Sequence, residues 1–103
     1  MKIAVPTWQD SVSSVLDFAN KLLLVEMENG VETGRSEISL TEQSGPERAV
    51  RLRQLGVNVV ICGAISRPLA YMLSSSGIDV LPFVTGPIEQ ILTAYRMGNL
   101  NLP

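Results

Sequence analysis

The chain has 103 residues, of which 46% are hydrophobic and 17% charged, with a formal net charge of −2 and one cysteine. That length suits a single domain over residues 1–103 with one core, and the apolar share excludes a disordered chain. Lys and Arg form no stripe for a nucleic-acid backbone, a lone cysteine makes no internal disulfide, and no apolar run reaches the ~18 residues of a membrane span.

The opening Met1-Lys2-Ile3-Ala4-Val5-Pro6 reads as a short strand over 2–5 stopped by proline. It is too short for the apolar part of a signal peptide, so a soluble cytoplasmic protein is expected. A polar loop follows over 7–17. Residues 21–27, KLLLVEM, form a near-continuous apolar strand of the kind covered on both faces. Asn29-Gly30 can both take positive φ, which predicts a tight hairpin and an antiparallel return over 31–40. Gly34 inside that return suggests a bulge or a frayed edge.

Ser44 and Glu47 stand at capping-box spacing, so each side chain can satisfy a backbone N–H at the start of a first helix. Ala49, Val50, Leu52 and Leu55 give it an apolar stripe, and Gly56 suits its end. Residues 57–61 read as a buried strand. Ser66 is the expected cap of a second helix carrying Leu69, Ala70, Met72 and Leu73 before Gly77. Residues 78–83 give another strand. Thr85-Gly86-Pro87 opens a third helix, with Pro87 in its first turn and Ile88, Ile91, Leu92 and Tyr95 on one face. Gly56, Gly77 and Gly98 are expected to end helices at positive φ, and residues 99–103 show no regular pattern.

A hairpin followed by strand–helix alternation predicts an α/β fold with a mixed five-stranded sheet in the order 3-2-1-4-5. Strand 2 runs antiparallel, and helices cover both faces. Ligands of such sheets sit beyond the carboxyl ends of the parallel strands. Three loops leave those ends, over 6–17, 62–67 and 84–87. They supply Trp8, Ser13 and Ser14, then Cys62, Gly63, Ala64, Ser66 and Arg67, then Thr85 and Gly86 as candidate binding residues. Two loops feed helix starts, so a small anion held by Arg67 and backbone amides is one reading. Turn and cap chemistry accounts for Ser66, Gly63, Gly86 and Pro87 equally well. Trp8 reads as a ligand cover, a partner contact or a lid on the core. Asp10 and Asp17 read as solvated loop carboxylates.

There is no histidine, so no histidine-based nucleophile pair or metal site can form. No Gly-rich phosphate loop or CxxC is present, and clustered carboxylates for a two-metal nuclease are missing. Cys62 ends a strand beside a helix start, where the dipole favours thiolate, a soft metal ligand. Lone cysteines are more often buried as small hydrophobes. Burial at the core or cleft floor, among Val5, Ile61 and helix side chains, is therefore expected slightly ahead of ligation.

The stretches KIAVPT, ANKLLLVEMENG, LGVNVVICGAISRPLAYMLSSSGIDVL and GPIEQILTAYRMGNL resemble the dinitrogenase iron–molybdenum cofactor-binding family over nearly the whole chain. The resemblance implies a ribonuclease-H-like three-layer α/β/α fold. It also implies a small non-enzymatic carrier or accessory protein of nitrogen fixation. Its cargo would be iron–molybdenum cofactor or another metal–sulfur cluster, with Cys62 as the candidate metal ligand. Val15 stands where many members carry histidine. That departure favours a second reading, a cluster-free binding or interaction module on the same fold that binds no cofactor. The third strand lies at a sheet edge, which leaves room for a homodimer or a partner protein.

Overall fold

The computed structural model describes residues 1–100. Five strands form one mixed sheet: β1 (Lys2–Trp8), β3 (Lys21–Glu28), β4 (Val31–Ser39), β5 (Val59–Ile61) and β6 (Asp79–Leu81). Their spatial order is β4-β3-β1-β5-β6, with a two-residue strand β2 (Ser11–Val12) paired to β1 off that path. β3 runs antiparallel to both β1 and β4, and β5 and β6 continue parallel to β1. The expected order is thus the observed one, and β2 is an addition to it. The helices are α1 (Gly45–Gln54), α2 (Arg67–Ser75) and α3 (Ile88–Arg96).

The pleat sorts β3 onto two cores. Leu22 and Leu24 pack with Leu52 of α1 and Leu69 and Leu73 of α2. Leu23, Val25 and Met27 pack with Ile88, Ile91 and Leu92 of α3 on the other face. Two helices therefore cover one face and one helix covers the other.

Strand β1 does not stop at proline. Pro6 pairs with Leu22 and the strand runs on to Trp8. Proline is tolerated because β1 pairs with β5 only at Ile3 and Ala4, so no ladder donor is demanded at Pro6 on that side. The loop expected over 7–17 is also ordered. Gln9 (φ 50) and Asp10 (φ 63) turn β1 into β2, and Leu16–Phe18 form a single 3-10 turn. Strands expected over 57–61 and 78–83 begin two residues and one residue later, as β5 and β6. Their lead residues close the preceding helices instead: Val57 N–H donates to Leu52 O at 3.3 Å and Ile78 N–H to Leu73 O at 3.1 Å.

Asn29 and Gly30 form the expected hairpin, at φ 53 and 77, and Gly56, Gly77 and Gly98 take positive φ at helix ends. The register slips between Glu26 and Met27 opposite Gly34, which is the expected bulge. Ser44 caps α1 by accepting from Glu47 N–H at 3.2 Å. The reciprocal half of the capping box differs: the Ser44 hydroxyl donates to the Glu47 carboxylate at 2.9 Å. Val50 points outward, 40% exposed, so it leaves the expected stripe of α1. Pro87 is not in the first turn of α3 but precedes it, with extended backbone at ψ 139. Of the tail expected to be irregular, residues 101–103 lie outside the described residues.

Candidate functional site

The three loops expected to meet do meet, at the carboxyl edge of the sheet. Val12 N–H donates to Gly86 O at 3.0 Å, and Ile88 N–H donates to Asp10 O at 2.9 Å. Ala64 N–H donates to Ser14 O at 2.8 Å, and Phe83 N–H donates to Gly63 O at 2.9 Å. Ser13, Ser14, Gly63, Ala64 and Gly86 thus lie in one belt of touching backbone. Thr85 is exposed beside it. Trp8, the last residue of β1, is 65% exposed, so it is not a lid on the core. Phe18 and Phe83 are exposed on loops leaving the same end.

The start of α2 is already supplied with an anion from within the chain. Ser66 donates to the Asp17 carboxylate twice, from its N–H at 2.8 Å and from its hydroxyl at 2.5 Å. The same hydroxyl accepts from Leu69 N–H at 3.4 Å and caps the helix. Asp17 is therefore no idle loop carboxylate: it meets the helix dipole and the orphan N–H that an external anion was expected to use. Arg67 is exposed and makes no ion pair among the described residues.

Cys62 is fully buried. It lies in the core shared with Ala4, Leu16, Leu69 and Leu73, not with Val5 and Ile61, which face the other way. Alternation along β5 decides this, since Cys62 follows Ile61 and must point to the opposite side. Burial, and then the negative charge of Asp17, push its thiol up to about 12. The helix dipole expected to favour thiolate loses to desolvation. Among the described residues, no three His, Cys, Asp or Glu side chains are placed to hold a metal ion. A buried thiol without neighbouring donors does not fit a thiolate-coordinated metal–sulfur cluster.

One residue beneath this edge went unread in the sequence. Arg48 of α1 is buried, and its Nη1 donates to Leu16 O at 3.2 Å and to Ala19 O at 2.7 Å. It clamps the 3-10 turn that presents Asp17 to α2. The signal was available: Arg48 stands one turn before Leu52, on the buried stripe. Arg48→Met keeps the bulk and removes the donors. It should destabilise by about 2 kcal/mol, because the Ala19 carbonyl is orphaned and the turn released. Relief of a desolvated guanidinium opposes this, but that ion is weakly hydrated to begin with. Urea unfolding of both proteins decides; an unchanged midpoint would mean that the clamp holds nothing.

A cavity opens at this end on the other face, where α3 alone covers the sheet. It holds about 570 Å3 and is lined by Thr7, Gln9, Asp10, Lys21, Leu23, Arg35, Glu37, Pro87, Ile88 and Glu89. None of the ten candidate residues lines it, although two of the expected loops do. Its outer wall is an ion network. Arg35 of β4 donates to Glu32 at 2.8 Å and to Glu89 of α3 at 2.6 Å. Bonding to Arg35 holds both carboxyl groups below their usual range. Lys21 lies 3.8 Å from Glu37. Pairing of β3 with β4 brings Lys21 to Glu37, and the packing of α3 brings Glu89 to Arg35, so no short motif announces the network.

Among curated proteins, an uncharacterized protein of Methanocaldococcus jannaschii, MJ0580, is 30% identical over 97% of this chain and 89% of its own length. Among solved structures, the crystal structure of PH0822 superposes with a TM-score of 0.92 at 23% identity, over 99% of this chain and 94% of that one. The apo form of the orange protein from Desulfovibrio gigas gives 0.81 at 18% identity, over 99% and 92%. These two likenesses establish the fold. The family described as dinitrogenase iron-molybdenum cofactor matches residues 1–98, and the chain belongs to that family.

Proposed function

We propose that this protein is a small, non-enzymatic binding protein of the cofactor-carrier type, and that its ligand seats in the groove at the carboxyl edge. The carrying observation is the groove's construction. Two loops that leave carboxyl ends, at Gln9-Asp10 and at Pro87, wall a cavity of about 570 Å3 over the apolar floor of Leu23 and Ile88. That volume falls within the range of small-ligand sites. The turn at Gln9 and Asp10 holds two non-glycine residues at positive φ, a strain of the kind kept at working sites.

Family membership supports a second reading: a metal–sulfur cluster, such as iron–molybdenum cofactor, carried in the cytoplasm on behalf of nitrogenase assembly. The buried Cys62 speaks against coordination by thiolate, so such a cargo would be held by non-covalent contacts alone. Native mass spectrometry of protein purified without oxygen, with iron, molybdenum and sulfide analysis beside it, separates the readings. The groove reading expects an added mass without metal that leaves on unfolding. Stoichiometric metal and sulfide would establish the cluster reading instead, and the bare chain mass with no metal would count against both.

A further inference from the structure

We propose that the groove is a metal-free site for a small organic cation, with an ammonium-type head against Asp10 and an apolar body on Leu23, Pro87 and Ile88. This rests on the groove reading above and adds the charge and body of the ligand.

The rim carries the carboxylates of Asp10, Glu37 and Glu89 and the cations of Lys21 and Arg35. Both cations are already matched. Arg35 is held by Glu32 and Glu89, and Lys21 lies beside Glu37. Asp10 is the carboxylate left over: among the described residues it has no ion-pair partner. Its backbone is fixed, because its carbonyl accepts from Ile88 N–H at 2.9 Å. The backbone turn that carries the carboxylate is therefore already in place at the groove mouth, and only the side chain has to settle when a cation arrives.

An anionic ligand meets the opposite situation. It would have to break the Arg35 network or the Lys21 pair to find a cation, and the unpaired Asp10 carboxylate would repel it. A metal–sulfur cargo would in addition find its soft donor, Cys62, buried on the other face of the sheet. Below the charged rim, exposed Pro87 and the small uncovered parts of Leu23 and Ile88 offer apolar surface to a hydrocarbon or ring attached to the cationic head.

The test is amide NMR of the folded, metal-free protein titrated with hexylammonium and, separately, with hexanoate. They share a six-carbon body and differ in the sign of the head. Hexylammonium is expected to shift the amides of Thr7, Gln9, Asp10, Leu23 and Ile88 with a dissociation constant of the order of millimolar, as small fragments do. Hexanoate should leave them in place, and Asp10→Asn should weaken hexylammonium at least fivefold with the spectrum otherwise native. Equal or tighter binding of hexanoate, or an unchanged affinity in Asp10→Asn, overturns the cationic assignment and leaves the groove reading standing. No shift at these amides with either probe overturns both.

Discussion

Raising the pH from 9 towards 12 should cost this protein about 1.4 kcal/mol of stability per pH unit that a Cys62→Ala variant does not lose. The Cys62 thiol is pushed from 9.0 up to about 12, first by burial and second by the charge of Asp17. In the unfolded chain the thiol ionises near its ordinary value; in the folded protein it stays neutral for about three further pH units. The unfolded state therefore binds fewer protons over that window. The sign follows: the contribution is fully present below pH 9, falls as pH rises and is gone above the folded value. Integrated, it amounts to about 4 kcal/mol. Other groups titrate in the same range, but they are common to both proteins, so the difference isolates Cys62. Alanine itself costs a small cavity at neutral pH, a constant offset. Urea midpoints between pH 8 and 11 provide the measurement. A constant difference across that range would show that the thiol ionises freely in the folded state and is not in the core. The same burial predicts very slow modification of native Cys62 by thiol reagents at neutral pH.

Gly63→Ala should destabilise by about 3 kcal/mol or prevent folding, more than any other glycine substitution in the chain. A Cβ at residue 63 would stand 2.6 Å from Ser14 O and 2.8 Å from Ser13 O. Neither oxygen can give way cheaply, because the segment is tied on both sides. Ser13 N–H donates to Pro6 O at 2.8 Å, Ala64 N–H to Ser14 O at 2.8 Å, and Leu16 N–H to Ala64 O at 3.0 Å. Relieving the clash would break these bonds and leave buried polar groups unpaired. Gly77→Ala is the control. It sits at φ +83 with nothing within 4 Å of the added carbon, so it bears only the left-handed backbone penalty of ~1–2 kcal/mol. Thermal or urea unfolding of the two variants side by side is decisive; if Gly63→Ala proved the milder, close approach would not be the reason for glycine there.

The sequence by itself determined the sheet. The apolar run of 21–27, the Asn29-Gly30 turn and the later strand–helix alternation are local patterns, and short connections with right-handed crossovers leave few ways to assemble them. It also determined the helix ends at Gly56, Gly77 and Gly98, since backbone conformation there depends on the residue itself. The meeting of three loops at the carboxyl edge followed from topology alone. What those loops do was decided only by the tertiary structure. Asp17 looks like a solvated carboxylate until α2 brings Ser66 to it from 49 positions away. Cys62 reads as a buried hydrophobe only slightly ahead of a ligand until strand alternation turns it into the two-helix core. The groove needs Lys21, Arg35, Glu37 and Glu89 from three elements, set side by side by β-pairing and by an unequal division of helices between the two faces. Charges gathered across strands have no period or spacing along the chain, so only the folded register could place them together.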